Sequence, residues 1–426
     1  MIEEKRKTFS KFLKLQVLII GILWAADRIF FFFEQNFFNT YLDHVLNLSE
    51  IYISVMVALS ATIGLIMNFV WGIISDNTRS KFGRRRPFFL FGVLAGIGMI
   101  LYGLSNNYIL CVVIDVALIG VTSNAYSSAE RSIIPDLVEP ELRGRANGII
   151  QAVSYVGLII ALAFFLLGNE LFGVPGPEGG TIIPQDGHFI LLSIGGLFFA
   201  GCGILGFLLI REKPSSELPP KKNFFTELKE TFNLKEIKNQ KEFFKITLAT
   251  TIFQSGIASV MPFLFIYIFA QGLSTVDLLI AIAVGFIILF PAVIYLGKLS
   301  DKFGRKKFLP LIFIIISIAY ACVIFVGSGV NFNYALFVIL LPFILIGLLG
   351  LDTIINAWAQ DTLPIEKRGQ FYGIFNIVYT LSQILGAFAG GLAAEVLGLP
   401  WIFVVGAIFF ILSIPFFLLV KETLNK

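Results

Sequence analysis

Gly72-Ile73-Ile74-Ser75-Asp76, followed by Gly83-Arg84-Arg85-Arg86, occurs a second time in this chain. The second copy is Gly297-Lys298-Leu299-Ser300-Asp301, followed by Gly304-Arg305-Lys306-Lys307. The leading Gly and Asp of the two copies stand 225 residues apart. Asp136, Glu141, Arg143, Gly144 and Gly148 recur at that same offset as Asp361, Glu366, Arg368, Gly369 and Gly373. Each polar signature lies between long apolar runs, so the chain reads as two equivalent halves.

Hydrophobic residues make up 57% of the chain and charged residues 14%, with a mean hydropathy of +0.86. A soluble domain of this length could not cover so much apolar surface, which makes the bilayer the solvent. A spanning helix needs about 20 mainly apolar residues. Twelve segments qualify, at 15–42, 51–75, 87–104, 108–131, 147–168, 189–210, 243–270, 276–297, 308–327, 334–358, 371–394 and 400–420. Pro262, Pro291, Pro342 and Pro415 fall inside them, which neighbouring helices in a membrane tolerate. Lys5-Arg6-Lys7 precedes the first run. That run is too long for a signal peptide and has no small-residue cleavage site, so a retained first helix is expected.

Thirty of the 32 Lys and Arg lie in the two termini or around the connections after spans 2, 4, 6, 8 and 10; the exceptions are Arg28 and Arg131. The remaining connections carry none. The positive-inside rule then puts both termini and the basic connections in the cytoplasm, and the chain in the cell membrane as a multi-pass protein. One missed or extra span would scramble this asymmetry. The expected fold is therefore all-α and integral to the membrane, with twelve transmembrane helices in two pseudo-symmetric six-helix bundles. The bundles are 1–210 and 243–426, joined by a cytoplasmic linker at 211–242. Within the linker, Phe224 to Phe232 could form an amphipathic helix on the membrane surface. The stretch from Asn169 to Gly187 is an external connector, with a lid as the alternative. Repeated halves with basic loops on one side are the architecture of an alternating-access carrier.

Gly-x-x-x-Asp followed by Gly-Arg-Arg or Gly-Arg-Lys resembles the signature loop of the major facilitator superfamily. The first copy holds four extra residues between Asp and Gly and ends in Arg84-Arg85-Arg86-Pro87-Phe88. That longer form looks like the glycoside–pentoside–hexuronide:cation symporters and the related sucrose-type carriers. The resemblance implies a secondary transporter, with a sugar or glycoside as solute.

Asp76 and Asp301 end their helices on the basic side, where a carboxylate can pair with Arg or meet a helix N-terminus. Arg84, Arg85, Arg131 and Arg143 are candidate partners in one half, Arg305 and Arg368 in the other. With Glu141 and Glu366 they form a candidate cytoplasmic gate, a set of ion pairs that breaks when the carrier opens inward. The alternative is that these charges only set topology.

Asp27 and Arg28 lie near the middle of the first span. Ionisable groups there cost about 3 kcal/mol or more and normally face a cavity or a partner. In superfamily carriers the first, fourth, seventh and tenth helices line the central cavity. Here those spans hold Asp27, Arg28 and Glu34; Asp115, Ser127, Glu130 and Arg131; Gln254; and Asp352 and Asn356. With Asn68 on the second span, Asp27, Arg28, Glu34, Asp115, Ser127, Arg131, Gln254, Asp352 and Asn356 are the candidate substrate and cation pathway.

Melibiose-type symporters place an Asp in helix 1, which Asp27 matches. Their two helix 2 carboxylates would fall at Asn68 and Gly64, and their helix 4 carboxylate at Ser127. The oxygen set that a hard cation needs is thus mostly missing. A lone buried carboxylate suits a proton, because desolvation can shift its pKa toward neutral. Asp27 is the first candidate proton carrier and Asp352 the second; the alternative for Asp27 is structural neutralisation of Arg131 or Arg28. The coupling ion is expected to be H+, with Na+ left open. Sucrose-type carriers place an Asp at the position of Gly120, with Asp115 nearby, so sucrose itself is not indicated. Trp24, Tyr126, Tyr155, Trp358 and Tyr379 are candidate sugar platforms.

Two other readings stay open: the same fold carrying a lysolipid or other amphiphile, and a non-transporting nutrient receptor. An enzyme is not expected, because no nucleophile motif or paired catalytic carboxylates occur. Cys111, Cys202 and Cys322 sit in separate apolar runs and read as small hydrophobes. His44 and His188 flank helices at the outer surface, far apart in sequence, so no metal is expected. No cofactor and no nucleic-acid partner are expected. The partners are a small-molecule solute and the lipid bilayer, and the chain is expected to be a monomer. Asn47-Leu48-Ser49 matches a glycosylation acceptor by chance, against the membrane.

Overall fold

The computed structural model describes residues 10–176, 180–212, 241–327, 331–351, 354–355, 358–359, 362 and 368–423. The side chains of 135, 140–141, 143–145, 301 and 368–377 also lie outside the described set. The first six helices are α1 (Lys11–His44), α2 (Glu50–Asn77), α3 (Arg86–Gly103), α4 (Tyr108–Val112, Val113–Ile119 and Gly120–Leu137), α5 (Pro140–Phe172) and α6 (Gln185–Leu209). The next six are α7 (Lys241–Ala258, resuming at Leu264–Ala270), α8 (Thr275–Phe303), α9 (Arg305–Ala321), α10 (Tyr334–Leu345 and Ile346–Gly350), α11 (Arg368–Leu397) and α12 (Trp401–Leu419). Among the described residues, eleven helices are long and apolar enough to cross a membrane, and α10 is a shorter apolar helix. The predicted remainder of α10 falls largely outside the described residues.

The apolar runs become helices because a chain in hydrocarbon must satisfy its own backbone polar groups. Two helix starts are closed by asparagine side chains. Asn107 Oδ1 accepts from the N–H of Leu110 at 2.9 Å, and Asn333 Oδ1 accepts from that of Leu336 at 3.1 Å. These caps begin α4 and α10, the equivalent helices of the two halves. Both helices then pass through a π-helical stretch, Val113–Ile119 and Ile346–Gly350. Pro262 breaks α7 with a 3-10 turn, Met261–Phe263, because it has no N–H to donate. Pro291, Pro342 and Pro415 stay inside their helices.

The chain forms two compact units. The first comprises Met1–Tyr41, Ile63–Phe172 and Ile183–Glu227; the second comprises Leu42–Thr62, Gly173–Ile182 and Leu228–Lys426. The division between 1–210 and 243–426 is thus crossed at two places, where segments of the first half count in the second unit. Within the first unit, α3 and α6 approach through Gly96 and Gly196. A Cβ on Gly96 would lie 2.2 Å from the Gly196 carbonyl oxygen, so only glycine permits this contact.

The stretch from Asn169 to Gly187 holds a small antiparallel ribbon, β1 (Val174–Pro175) with β2 (Thr181–Ile182), which a pure connector reading misses. Asn47 has φ +49. The N–H of Leu48 donates to Leu42 O at 3.0 Å, which closes the end of α1. A left-handed residue is needed there, and Asn supplies it. His188, expected at the surface, is fully buried, with Nε2 3.0 Å from Thr40 Oγ1. His44 is also buried. The predicted surface helix from Phe224 to Phe232 lies outside the described residues.

Candidate functional site

At the basic end of the first unit, Asp76 closes α2 and the following loop turns back at Gly83, φ +122. The turn delivers Arg84 and Arg85 inward, where both are buried. Arg85 joins three acceptors: its Nη2 donates to Asp76 Oδ1, its Nη1 to Ser75 Oγ at 2.5 Å and its Nε to Asp136 Oδ2 at 3.2 Å. Arg84 Nη2 donates to Asp136 Oδ1 at 2.5 Å, with Nη1 4.0 Å from Asp76 Oδ1. Asp136, near the end of α4, thus receives both guanidinium groups. Buried guanidinium groups held by carboxylates suit a switchable contact, since parting them leaves buried charge uncompensated.

A second carboxylate completes the turn. Glu212, just beyond α6, accepts from the backbone N–H of Arg84 at 2.7 Å and of Arg86 at 2.6 Å. The N–H of Arg85 donates to both of its oxygens, at 2.8 and 3.0 Å. These are the free donors at the start of α3, where a helix favours an anion. Arg86 closes the junction by donating from Nε to Phe207 O at 2.8 Å.

The second unit repeats the device. Gly304 has φ +86, and the N–H of Lys306 donates to Glu422 Oε2 at 2.9 Å. Arg305 is buried. The Asp301 and Arg368 side chains and all of Glu366 lie outside the described residues, as do the Glu141 and Arg143 side chains. Of the predicted gate, Asp76, Arg84 and Arg85 come together in the first unit.

In mid-span, the Ser127 hydroxyl on α4 donates to Asp27 Oδ1 on α1 at 2.7 Å. Arg131 and Arg28 lie within electrostatic range of Asp27. Glu130 is one helical turn from Ser127 and within electrostatic range of Asp27, Arg131 and Arg28. It is 1% exposed, and its Oε1 has no hydrogen-bond partner among the described residues. Two carboxyl groups and two guanidinium groups therefore gather where α1 meets α4. Of the pathway candidates, Asp27, Arg28, Ser127 and Arg131 lie near one another.

Other pathway candidates are engaged differently. Asn68 Nδ2 donates to Asn124 Oδ1 at 2.6 Å, and Asn124 Nδ2 to Gly120 O at 2.7 Å. Asn68 thus clasps α2 to α4. Asp115 is buried on the π-helical stretch, in electrostatic range of Tyr102 and Cys111 rather than at Asp27. Glu34 is half-buried two turns beyond Asp27 on α1. Gln254 is buried on α7 in the second unit. Asp352 and Asn356 lie outside the described residues. Two suggested sugar platforms are packing residues instead. Tyr126 is fully buried with its ring 4.5 Å from that of Phe199, and Trp358 is fully buried against Phe417.

The sequence profile described as Major Facilitator Superfamily matches residues 23–386 and 333–426. The chain belongs to this superfamily. As a member it is a multi-pass membrane transporter of small-molecule solutes and not an enzyme. Among curated relatives, the uncharacterized MFS-type transporter YxiO of Bacillus subtilis (strain 168) is 24% identical over 363 residues. That match covers 82% of this chain and 79% of that protein. Among solved structures, a bacterial homolog of the human lysosomal transporter Spinster aligns with a TM-score of 0.71 at 16% identity, covering 97% of this chain and 98% of that one. A D-xylose-proton symporter aligns with a TM-score of 0.66 at 15% identity, covering 96% and 99%. Both share the superfamily fold with this chain.

Four carboxylates of this superfamily member, Glu130, Asp136, Glu212 and Glu422, stand outside the gate and pathway expected from sequence. Glu130 is adjacent to Arg131, which draws attention first. Glu212 and Glu422 follow the last helix of each half in matching contexts, Leu208-Leu209-Ile210-Arg211-Glu212 and Leu418-Leu419-Val420-Lys421-Glu422. That repeated ending is the signal that could have found them. Asp136 was visible within the repeat but not as the acceptor of Arg84 and Arg85.

Proposed function

We propose that this transporter is a proton-coupled symporter of a sugar or glycoside, of the glycoside–pentoside–hexuronide or sucrose-type branch, working by alternating access in the cell membrane. In this reading both termini and the basic loops face the cytoplasm, following the distribution of Lys and Arg. The observation that carries the coupling is the Ser127–Asp27 hydrogen bond of 2.7 Å inside a group of two acids and two guanidiniums. A carboxyl group in mid-membrane with a hydroxyl and movable cations beside it can hold a proton in one state and release it in another. Asp352 is the second candidate carrier. Na+ is less well served, because the positions of the melibiose-type helix 2 and helix 4 carboxylates hold Asn68, Gly64 and Ser127.

Basic-end closure is assigned to Asp76, Arg84, Arg85 and Asp136, with Asp301, Arg305, Glu366 and Arg368 as the equivalent set and Glu141 and Arg143 beside the first. Purified protein in liposomes tests the reading. An inward proton gradient should drive accumulation of a labelled glycoside, and a sodium gradient should not. Accumulation driven by sodium alone would replace the proton with Na+. Exchange of a labelled lysolipid, with none of any sugar, would replace the solute with an amphiphile.

A further inference from the structure

α2 starts in the second unit, which holds Leu42–Thr62, and continues in the first from Ile63. Its opening turns meet α11. Ser54 is fully buried, and its hydroxyl is shared between Glu50 O of its own helix and Ala387 O of α11, each at 2.9 Å. A Cβ on Gly391 would lie 1.7 Å from Ser54 Oγ, 3.0 Å from Glu50 O and 3.1 Å from Phe263 Cζ. The serine side chain therefore occupies space that only glycine leaves on α11. The adjacent line of α11 faces α7: a Cβ on Gly386 would lie 2.3 Å from Ser255 O, and one on Gly390 2.2 Å from Ser259 O. α11 thus lies backbone to backbone with a helix of its own half, and takes a side chain from a helix of the other half.

The α2 contact can part without stranding a polar group. A hydroxyl has one hydrogen, and two carbonyls are within its reach, so on separation it turns fully to Glu50 O. Ala387 O keeps the helical N–H of residue 391. Separation of this kind avoids the penalty of a buried, unsatisfied donor. Two other segments of the first half lie against α7 in the second unit. The His44 ring is edge-on to Phe269 at 5.3 Å, and a Cβ on Gly180 would lie 2.8 Å from Ala270 O.

We infer that Ser54 on Gly391 is the seat on which the carrier closes at the end opposite the basic loops. Closure needs glycine at 391 and a small hydroxyl side chain at 54; opening uses the fallback of that hydroxyl onto Glu50 O. This rests on the alternating-access reading, in which this end opens toward the outside. It involves neither the Asp27 group nor the ion pairs of the basic end.

Nitroxide labels on Tyr52→Cys and Val396→Cys, both exposed positions, report the separation of α2 and α11 in lipid nanodiscs, with Cys111, Cys202 and Cys322 replaced by Ala. Pulsed electron paramagnetic resonance then gives closed and open populations. Gly391→Ala should lower the closed-to-open ratio about tenfold or more, the usual scale of overpacking. Ser54→Ala alone should lower it about threefold, as loss of one polar bond between membrane helices would. In the Gly391→Ala background, Ser54→Ala should instead restore most of the closed population, because the oxygen 1.7 Å from the new methyl is gone. Gly390→Ala, which meets α7, should gain nothing from Ser54→Ala. Ser54→Val brings bulk from the other side and serves if Gly391→Ala folds poorly. An unshifted ratio in Gly391→Ala and Ser54→Val overturns the seat, as does Ser54→Ala failing to rescue Gly391→Ala or rescuing Gly390→Ala equally.

A second pair of labels, on Lys81→Cys and Lys302→Cys in the basic loops, separates the seat from the reading beneath it. If Gly391→Ala lengthens the outer distance and shortens the basic-end distance, both stand. If the outer distance lengthens and the basic end stays as it was, alternating access falls and the closing contact remains.

Discussion

The backbone N–H of Arg85 donates to both oxygens of Glu212, at 2.8 and 3.0 Å. The same arginine's side chain spans Asp76, Ser75 and Asp136. One residue is thus held at its backbone by the segment after α6 and at its guanidinium by α2 and α4. Disturbing Glu212 should misplace the guanidinium without touching it.

Glu212→Ala removes the acceptor of three N–H groups. Charge-assisted bonds contribute about 1.5–3 kcal/mol each in favourable settings. Glu212→Ala should therefore lower the apparent unfolding temperature by several degrees, and Glu212→Gln by less. An unchanged midpoint in detergent melts would show that the Glu212 cap adds little.

Arg85→Lys keeps the charge but loses the planar fork that reaches three acceptors. Transport should fall by about tenfold or more while folded yield is retained. Arg85→Ala and Asp136→Ala should be strongly non-additive, with a coupling of about 1–3 kcal/mol in a double-mutant cycle on stability. Simple addition would mean the pair does not act as a unit.

Asp27→Asn should abolish proton-driven accumulation while leaving solute counterflow within about threefold of the unchanged protein. Glu130→Gln should retain the fold and alter the pH dependence of uptake, because Glu130 and Asp27 share the same two guanidiniums. Identical pH profiles for Glu130→Gln and unchanged protein would confine coupling to Asp27.

Asn124→Ala should destabilise the α2–α4 contact by about 1 kcal/mol, the usual size of a polar bond between membrane helices. Asn68→Ala in the same background should add little. Reversible unfolding in mixed micelles would measure both.

The helix map was legible because in hydrocarbon an apolar run of sufficient length has little choice but to be a helix. The predicted 276–297 and 400–420 became Thr275–Phe303 and Trp401–Leu419. The break in α7 was not legible, because Pro262 could equally have been absorbed as Pro291 is. Asp76, Arg84 and Arg85 stood out by repetition. Asp136 as their acceptor did not, since 60 residues of chain separate it from Asp76 and only folding joins them. Tyr126 shows the limit for aromatics: its ring chemistry suits a sugar, but its burial against Phe199 is a three-dimensional fact.

The carboxylates of Glu212 and Glu422 close equivalent turns from equivalent places in the two halves. A primordial single-half protein, before its gene doubled and fused head to tail, would already have possessed this acid. The tie from a sixth helix back to the second loop is then older than the full-length carrier. Each half inherits a self-contained fastening that needs nothing from its twin.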